Sequence, residues 1–256
     1  MRHQEKNQMV FGIRAIMEAI ESGKEIEKLM LQGGLRGELY HEFFQLIKYH
    51  GIRFQNVPLQ ALNRITRKNH QGAIAYLSPI TYQNIENLLP MLYEQGKNPF
   101  LLLLDRITDV RNFGAIARTA ECSGVDCIIV PSRGGAAINE DAIKTSAGAL
   151  HKIAVSRVDN MKDTMQFLKD SGLKIFGVSE KAEKNYYHED YTGPTALMLG
   201  SEEDGISPAY MKYLDGFVKI PMKGNIESLN VSVAGGILMF EVLKQRIEKA
   251  EFVKNK

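Results

Sequence analysis

The chain lacks the features that mark several classes of protein. It has 256 residues but only two cysteines and no tryptophan. Its hydrophobic content of 44% and charged content of 24% are ordinary for a globular protein, which excludes a disordered chain, a collagen-like fibre and a disulfide-rich miniprotein. No stretch approaches 18 consecutive apolar residues, so we expect no contact with a membrane.

The cysteines and the first six residues indicate in which cellular compartment we expect the protein. Cys122 and Cys127 are spaced too widely for a CxxC half-site, and no further Cys/His cluster accompanies them. We therefore expect reduced thiols and no metal site. Residues 1–6 show no apolar segment of a signal peptide, so we expect a cytoplasmic protein.

Acidic residues are scarce in the first part of the chain. Residues 1–76 hold 11 Lys and Arg, 7 Glu and no Asp, a net charge of +4, whereas residues 77–256 carry −2. Such asymmetry can mark a nucleic-acid-binding module, although a chance imbalance would have the same pattern. The candidate phosphate contacts in this segment are Arg14, Lys24, Arg36, Arg64, Arg67 and Lys68.

Hydrophobic periodicity predicts a small α/β unit first. Helical spacing of apolar residues predicts helices over 10–20, 39–49 and 59–65, and short apolar runs predict strands over 26–31, 52–57 and 73–77. Their alternation favours a compact α/β sandwich. Pro, Gly and Asn punctuate residues 78–98, which we interpret as a linker with one helix near 85–93.

A second α/β unit is predicted from Phe100 onward. Its first strand, 100–104, is a continuous apolar run typical of a buried parallel strand. Further strands are predicted over 128–130, 175–178, 196–199 and 217–220. Helices are predicted over 113–123, 140–147, 161–171, 208–213 and 231–252.

Three polar loops follow strands of this second unit. They span residues 105–118, 200–205 and 221–232 and are rich in Gly, Asn, Ser and charge. Ligands bind beyond the carboxyl ends of parallel strands, so we expect the loops to converge. None of them contains a dinucleotide-binding, P-loop or nucleophile-elbow motif, and none contains a histidine, which disfavours those chemistries.

In this order, the loops resemble the three motifs of the SpoU/TrmH family of RNA ribose 2′-O-methyltransferases. They read Asn112-x-Gly114 with Arg118, Leu199-Gly200-Ser201-Glu202 closed by Gly205, and Ile220-Pro221-Met222-x-Gly224 leading to Ser228-Leu229-Asn230-Val231-Ser232. Val10-Phe11-Gly12 and Asn69-His70-Gln71-Gly72 resemble the L30e-like RNA-binding domain of the family's ribosomal-RNA subgroup. One departure is Val110, which stands where the family usually has proline.

This resemblance implies an α/β fold of two domains. Residues 1–77 would form an L30e-like α/β RNA-binding domain, 78–98 the linker, and 99–256 a SPOUT α/β methyltransferase domain with a deep trefoil knot. It also implies S-adenosylmethionine as cofactor, a homodimer, and RNA as partner. The implied target is a guanosine of 23S rRNA, either naked or in an assembling large subunit.

The resemblance also implies roles for individual residues. Arg118 would contact the RNA and assist deprotonation of the 2′-hydroxyl. Asn112 and Ser228 would position Arg118 and the ribose by hydrogen bonds. Glu202 would orient Arg118 by pairing with it, and Asn230 would brace the knot and the cofactor loop. The implied cofactor contacts are Leu199, Gly200, Ile220, Met222 and Leu229, and the implied RNA contacts are Arg14, Arg111 and Lys223.

Alternatives stay open for these residues and for the function. Asn112 could simply cap the helix predicted over 113–123, and Ser228 and Asn230 could cap the final helix. The competing functions are a tRNA ribose methyltransferase, a non-catalytic RNA-binding assembly factor and an unrelated α/β nucleotide enzyme. The separate N-terminal module favours rRNA over tRNA.

Overall fold

The computed structural model describes residues 9–226 and 228–254. Residues 1–8, on which the expectation about a signal peptide rests, lie outside this part of the chain. Of the helices described, none combines the length and apolar character that crossing a bilayer requires. The chain divides into two compact units, Met1–Thr81 with Ile138–Glu140, and Tyr82–Ala137 with Asp141–Lys256.

The first unit is the predicted α/β sandwich. Its four strands are ordered β1-β4-β2-β3. Buried side chains of α1 and α2 form the core on one face of the sheet, and Leu62 of α3 packs against Met30 and Ile74 on the other. The elements are β1 (Met9–Phe11), α1 (Ile13–Glu21), β2 (Ile26–Gln32), α2 (Glu38–Tyr49), β3 (Gln55–Val57), α3 (Leu59–Ile65) and β4 (Ala73–Leu77).

The helix predicted over 10–20 starts later than its periodicity suggests. Met9–Phe11 pairs antiparallel with β4, and Gly12 adopts a φ of 89°, which ends the strand and precedes the helix. The Ile13 N–H then donates to Gln71 Oε1 at 3.1 Å, and the Gly12 N–H donates to the Ala73 carbonyl at 3.0 Å. The fold thus joins the two N-terminal motifs to each other.

The second unit is built on a seven-stranded parallel sheet. Its strands are β5 (Phe100–Leu104), β6 (Cys127–Pro131), β7 (Ala154–Val158), β8 (Lys174–Val178), β9 (Lys184–Asn185), β10 (Thr195–Leu199) and β11 (Gly216–Lys219). They are ordered β7-β6-β5-β10-β8-β11-β9 across the sheet. Every residue of β5 and β10 is buried, which confirms the prediction for 100–104. The predictions missed β7, in which Ser156 and Arg157 interrupt the apolar pattern, and the two-residue β9.

Helices cover this sheet. They are α4 (Ile85–Glu94), α5 (Val110–Cys122), α6 (Glu140–Thr145), α7 (Met161–Asp170) and α8 (Val231–Lys254), and the predicted helix over 208–213 is a 3-10 segment. Ile85 and Leu89 of α4 belong to the same core as Leu101 and Met165. The helix within the proposed linker 78–98 therefore packs as an integral part of the second unit.

Candidate active site

The carboxyl ends of β5, β8, β10 and β11 point to one edge of the parallel sheet, where their loops meet. A cavity of about 720 Å³ opens there. All five residues expected to contact a cofactor line it, together with Glu202, Ser228 and Asn230. The cofactor candidates are Leu199, Gly200, Ile220, Met222 and Leu229.

One wall of this cavity was not anticipated. Val178, Ser179, Glu180 and Lys181 line it from the end of β8 and the loop that follows. The sequence contains the signal that could have found them, because a parallel strand was predicted over 175–178 and ligands bind beyond the carboxyl ends of such strands. This loop lacks the dense Gly and Asn content of the other three, so its composition alone does not mark it as part of a site.

Gly200 shapes the loop that follows β10. The loop closes on itself, since the Ser201 and Gly205 N–H groups each donate to the other residue's carbonyl at 3.0 Å. A Cβ on Gly200 would lie 2.1 Å from the Gly205 carbonyl carbon and 2.2 Å from the Ile206 nitrogen. Only glycine fits this position without moving backbone, so the motif residue is required by the shape of the loop.

Asn112 joins two of the loops through its side chain. Its Nδ2 donates to Glu202 Oε1, and its Oδ1 accepts a hydrogen bond from Asn230 Nδ2 at 3.0 Å. Asn230 Oδ1 in turn accepts from the Ser232 N–H at 2.9 Å, so Asn230 also caps α8. Capping of α8 by Asn230 is therefore compatible with the bracing role expected for this residue.

Asn112 does not cap α5. Asp109 precedes the helix in an extended conformation, and its Oδ1 accepts from the N–H groups of Arg111 and Asn112, both at 2.8 Å. The helix consequently starts at Val110, three residues before the predicted start. Because Asp109 performs the capping, the side-chain amide of Asn112 is available to the other loops.

Arg118 lies outside this network. It is exposed on α5, about 9 Å farther along the helix axis than Asn112. Within residues 9–226 and 228–254 it makes no hydrogen bond or ion pair, so the expected pairing with Glu202 is replaced by the Asn112–Glu202 bond. Side chains three or four apart meet on a helix surface, and the separation of six keeps Arg118 from Asn112.

The remaining predicted residues are exposed. Ser228 is exposed at the cavity rim, and the structure shows no hydrogen bond that would link it to Arg118 in the described residues. Arg111 in the first turn of α5 and Lys223 after β11 are also exposed, as suits a contact with phosphate. Arg14 is exposed on α1 of the first unit.

A smaller cavity of about 320 Å³ borders the same loop. It is lined by Arg106, Ile107, Thr108, Asp109, Gly134, Ser201, Glu202, Glu203 and Asp204. Arg106 pairs here with Asp105, and this hydrogen bond raises the pKa of the Arg106 guanidinium above its usual value. No role for this pair was predicted above, although the sequence contains a signal for it: Asp105 is an acidic residue directly after a buried apolar strand.

Two family models match the chain. The SpoU rRNA Methylase family covers residues 99–240, and a model described as RNA 2′-O ribose methyltransferase substrate binding covers residues 9–83. Similar proteins are described as TrmH family tRNA/rRNA methyltransferases. One from Staphylococcus saprophyticus is 34% identical over 93% of this chain and 96% of its own length, and YacO of Bacillus subtilis is 32% identical over 94% and 97%.

Solved structures share the fold. The SpoU methyltransferase AviRb of Streptomyces viridochromogenes, solved in complex with AdoMet, covers 94% of this chain and 90% of its own with a TM-score of 0.60 at 24% identity. A TrmH/SpoU tRNA modifying enzyme of A. aeolicus is 33% identical, with a TM-score of 0.55, over 64% of this chain and 85% of its own.

Proposed function

The chain belongs to the SpoU/TrmH family of RNA methyltransferases, and from this premise we propose that it transfers a methyl group from S-adenosylmethionine to a ribose 2′-hydroxyl of RNA. The observation that carries the proposal is the 720 Å³ cavity, where all five expected cofactor contacts meet Glu202, Ser228 and Asn230. The presence of all the motif residues argues against a non-catalytic RNA-binding factor; they are Asn112, Arg118, Glu202, Ser228 and Asn230.

The residues of the cavity fit S-adenosylmethionine. The volume of the cavity lies within the roughly 300–1,000 Å³ usual for small-molecule sites. Leu199, Ile220 and Leu229 offer apolar surface for an adenine ring. Glu180 and Lys181 supply one charge of each sign, matching the ammonium and carboxylate of a methionine moiety.

The bound cofactor supplies an electrophilic methyl group on a sulfonium, and the protein has to present the attacking oxygen. A ribose 2′-hydroxyl is a weak acid, so its proton must leave as the O–C bond forms and the bond between methyl and sulfur breaks. A neighbouring phosphate of the RNA substrate would accept this proton. Arg118 stays protonated in proteins and therefore acts as an electrostatic clamp that lowers the pKa of this hydroxyl. Its guanidinium is exposed and makes no bond elsewhere in the described residues, which leaves it available to RNA.

The polar network keeps the site rigid around this step. Asn112 holds Glu202 and Asn230, so the loops after β10 and β11 are tied to the first turn of α5. Ser228 at the rim orients the ribose by a hydrogen bond. Arg111 and Lys223 bind flanking phosphates, and Arg14 binds RNA from the first unit.

We infer further that the substrate is large-subunit rRNA and that the enzyme is of the RlmB type, which methylates a guanosine of 23S rRNA. The match of residues 9–83 to a substrate-binding model supports this, because the tRNA subgroup typically lacks the module. Accordingly, the tRNA modifying enzyme of A. aeolicus aligns with only 64% of this chain.

The same proposal assigns the architecture. Residues 1–77 hold the RNA as an L30e-like domain, 78–98 connect the domains, and 99–256 form a SPOUT domain with a deep trefoil knot. The enzyme acts in the cytoplasm as a homodimer. Exposed apolar side chains on α8, among them Val233, Phe240 and Ile247, support dimerisation.

Mapping ribose methylation on rRNA and tRNA, from cells with and without the gene, tests this function. We expect a single 2′-O-methylguanosine of 23S rRNA to disappear with the gene. Loss of a tRNA methyl group instead would select the tRNA alternative. Unchanged methylation of both RNA classes would contradict the catalytic proposal.

A further inference from the structure

Arg106 has a backbone conformation that a side chain disfavours. Its φ is 55°, in the left-handed region, where a Cβ crowds the backbone of any residue except glycine. It follows β5 directly, at the edge of the sheet where the loops meet. A strained residue at this place persists only where surrounding contacts offset the strain, so its contacts are informative.

The guanidinium of Arg106 connects the end of β5 to the loop after β10. Its Nε and Nη2 donate to the two carboxylate oxygens of Asp105, at 3.2 and 3.4 Å. Nη1 donates to Asp204 Oδ2 at 3.0 Å, and Nη2 also donates to the Gly205 carbonyl at 3.1 Å. One side chain therefore reaches two successive residues of the Gly200–Gly205 loop.

Asp105 is itself held in place, so it anchors the Arg106 guanidinium. Its side chain is 2% exposed, and its Oδ2 also accepts from the Ser207 N–H at 2.7 Å. The Asp105 N–H donates to the Leu199 carbonyl at 2.8 Å. Asp105 is thus bonded to backbone on both sides of the Gly200–Gly205 loop, through its N–H to Leu199 and through its carboxylate to Ser207. Arg106 extends that anchoring to the last two residues of the loop.

The clamped loop is a wall of the 720 Å³ cavity. Gly200 to Gly205 line it continuously, and Glu202 within this loop bonds Asn112. In the described residues, side chains from outside the loop hold it at two places: Asn112 at Glu202, and Arg106 at Asp204 and Gly205. Loss of Arg106 would leave the second half of the loop unsupported on that side.

We propose that Arg106 is a positioning residue for the cofactor: it clamps Asp204 and Gly205 and thereby fixes the loop after β10 as a wall of the S-adenosylmethionine cavity. This inference rests on the proposed function. Arg106 lines the smaller cavity and not the larger one. In the described residues, its hydrogen bonds to the wall of the cofactor cavity are those to Asp204 and Gly205. Its effect should therefore be on cofactor affinity.

Titration calorimetry of S-adenosylmethionine with the full chain tests the clamp. We expect Arg106→Ala and Arg106→Gly each to raise the cofactor Kd about tenfold, the loss that hydrogen bonds to a charged group imply. Arg106→Lys keeps the charge and one contact, and should recover part of the affinity. Arg133→Ala, at an exposed arginine with no partner in the described residues, is the matched control and should bind as wild type.

The two substitutions at Arg106 separate strain from contacts. Glycine relieves the positive φ but removes the guanidinium, so wild-type affinity in Arg106→Gly would overturn the clamp. In steady-state assays we expect the KM for cofactor to rise while kcat at saturating cofactor changes less than about threefold, as uniform binding loss predicts. An unchanged cofactor KM would likewise refute the inference.

Asp204→Ala removes the exposed carboxylate that Arg106 bonds, and so it tests the same contact if the Arg106 variants fold poorly. It should weaken cofactor binding, and the double variant Arg106→Ala/Asp204→Ala should be no weaker than Arg106→Ala alone, because the two residues act through one contact. Fully additive losses would contradict the clamp. Failure of the wild type itself to bind S-adenosylmethionine would contradict the proposed function instead, and so the two failures are distinguishable.

Discussion

At the scale of single residues, the amide of Asn112 shows how one side chain can coordinate several loops. An amide offers both donors and an acceptor, so it can bond a carboxylate and a second amide at once. In this protein it donates to Glu202 and accepts from Asn230. This bridging depends on Asp109, which takes over the capping of α5.

Replacement of Arg118 tests the catalytic assignment. Arg118→Ala should lower methyl transfer at least about 100-fold, as loss of a charge-stabilising donor does in other active sites. The residue is exposed and unbonded within the described chain, so unfolding free energy should change by no more than about 0.5 kcal/mol. Transfer of tritiated methyl groups to RNA measures the first quantity, and urea unfolding measures the second. Wild-type turnover would remove Arg118 from the mechanism.

Replacement of Gly200 tests the cavity. In Gly200→Ala the new Cβ would meet Gly205 backbone at 2.1 Å, so the loop must move, at a cost of about 1–3 kcal/mol. We expect cofactor affinity to fall by at least about tenfold. Gly193→Ala is the matched control, because nothing lies within 4 Å of its Cβ position and it should bind cofactor normally. Equal affinities of the two variants would disprove this placement of the cofactor.

At the scale of elements, the start of α5 bears on Val110, which stands where the family usually has proline. Val110 is the first helical residue, and its N–H donates no hydrogen bond within the described chain. This is the position where proline fits a helix, because its missing N–H has no intrahelical partner. Asp109, with φ −73° and ψ 120°, already has the extended conformation that precedes proline.

Val110→Pro should therefore be tolerated. We expect it to raise the free energy of unfolding by up to about 1 kcal/mol, by restricting the unfolded chain, with activity retained. Arg111→Pro is the contrasting variant: it loses the N–H bond to Asp109 at 2.8 Å and should be destabilised by about 1 kcal/mol. Urea unfolding of both variants measures the difference. A strongly destabilised Val110→Pro would show that α5 does not begin where described.

At the scale of the whole molecule, the two units predict separable functions. The second unit contains the complete cavity and its own core. The first has a positive charge balance, and its match to a substrate-binding model covers residues 9–83. RNA affinity and cofactor affinity should therefore respond to different parts of the chain.

Deletion of residues 1–81 tests this division. We expect the remaining chain to bind S-adenosylmethionine within about twofold of the intact protein, whereas affinity for 23S rRNA fragments falls at least about tenfold with the loss of basic residues. Calorimetry and filter binding at fixed salt measure the two affinities, and thermal unfolding checks that the truncated chain folds. Unchanged RNA affinity in a folded truncation would refute the role of the first unit.

The order of residues along the chain was sufficient to predict the strong elements and the three motifs. Strands such as Phe100–Leu104 and helices such as Leu59–Ile65 follow from local apolar periodicity, which needs no partner. The resemblance to the family rested on the same local information, since each motif is a contiguous run. Short or interrupted strands, such as Met9–Phe11 and Ala154–Val158, escaped prediction because pairing with distant strands stabilises them.

Only the folded sheet decided which side chains meet. The Asn112–Glu202 and Asn112–Asn230 bonds span 90 and 118 residues, and the Arg106–Asp204 bond spans 98. Such contacts arise because parallel strands deliver their loops to one edge, a property of strand order and not of any local pattern. Strand order also places Val178–Lys181 in the cavity and brings Arg106 to the loop after β10. Arg118 is kept from Asn112 by a different cause, its position six residues farther along α5.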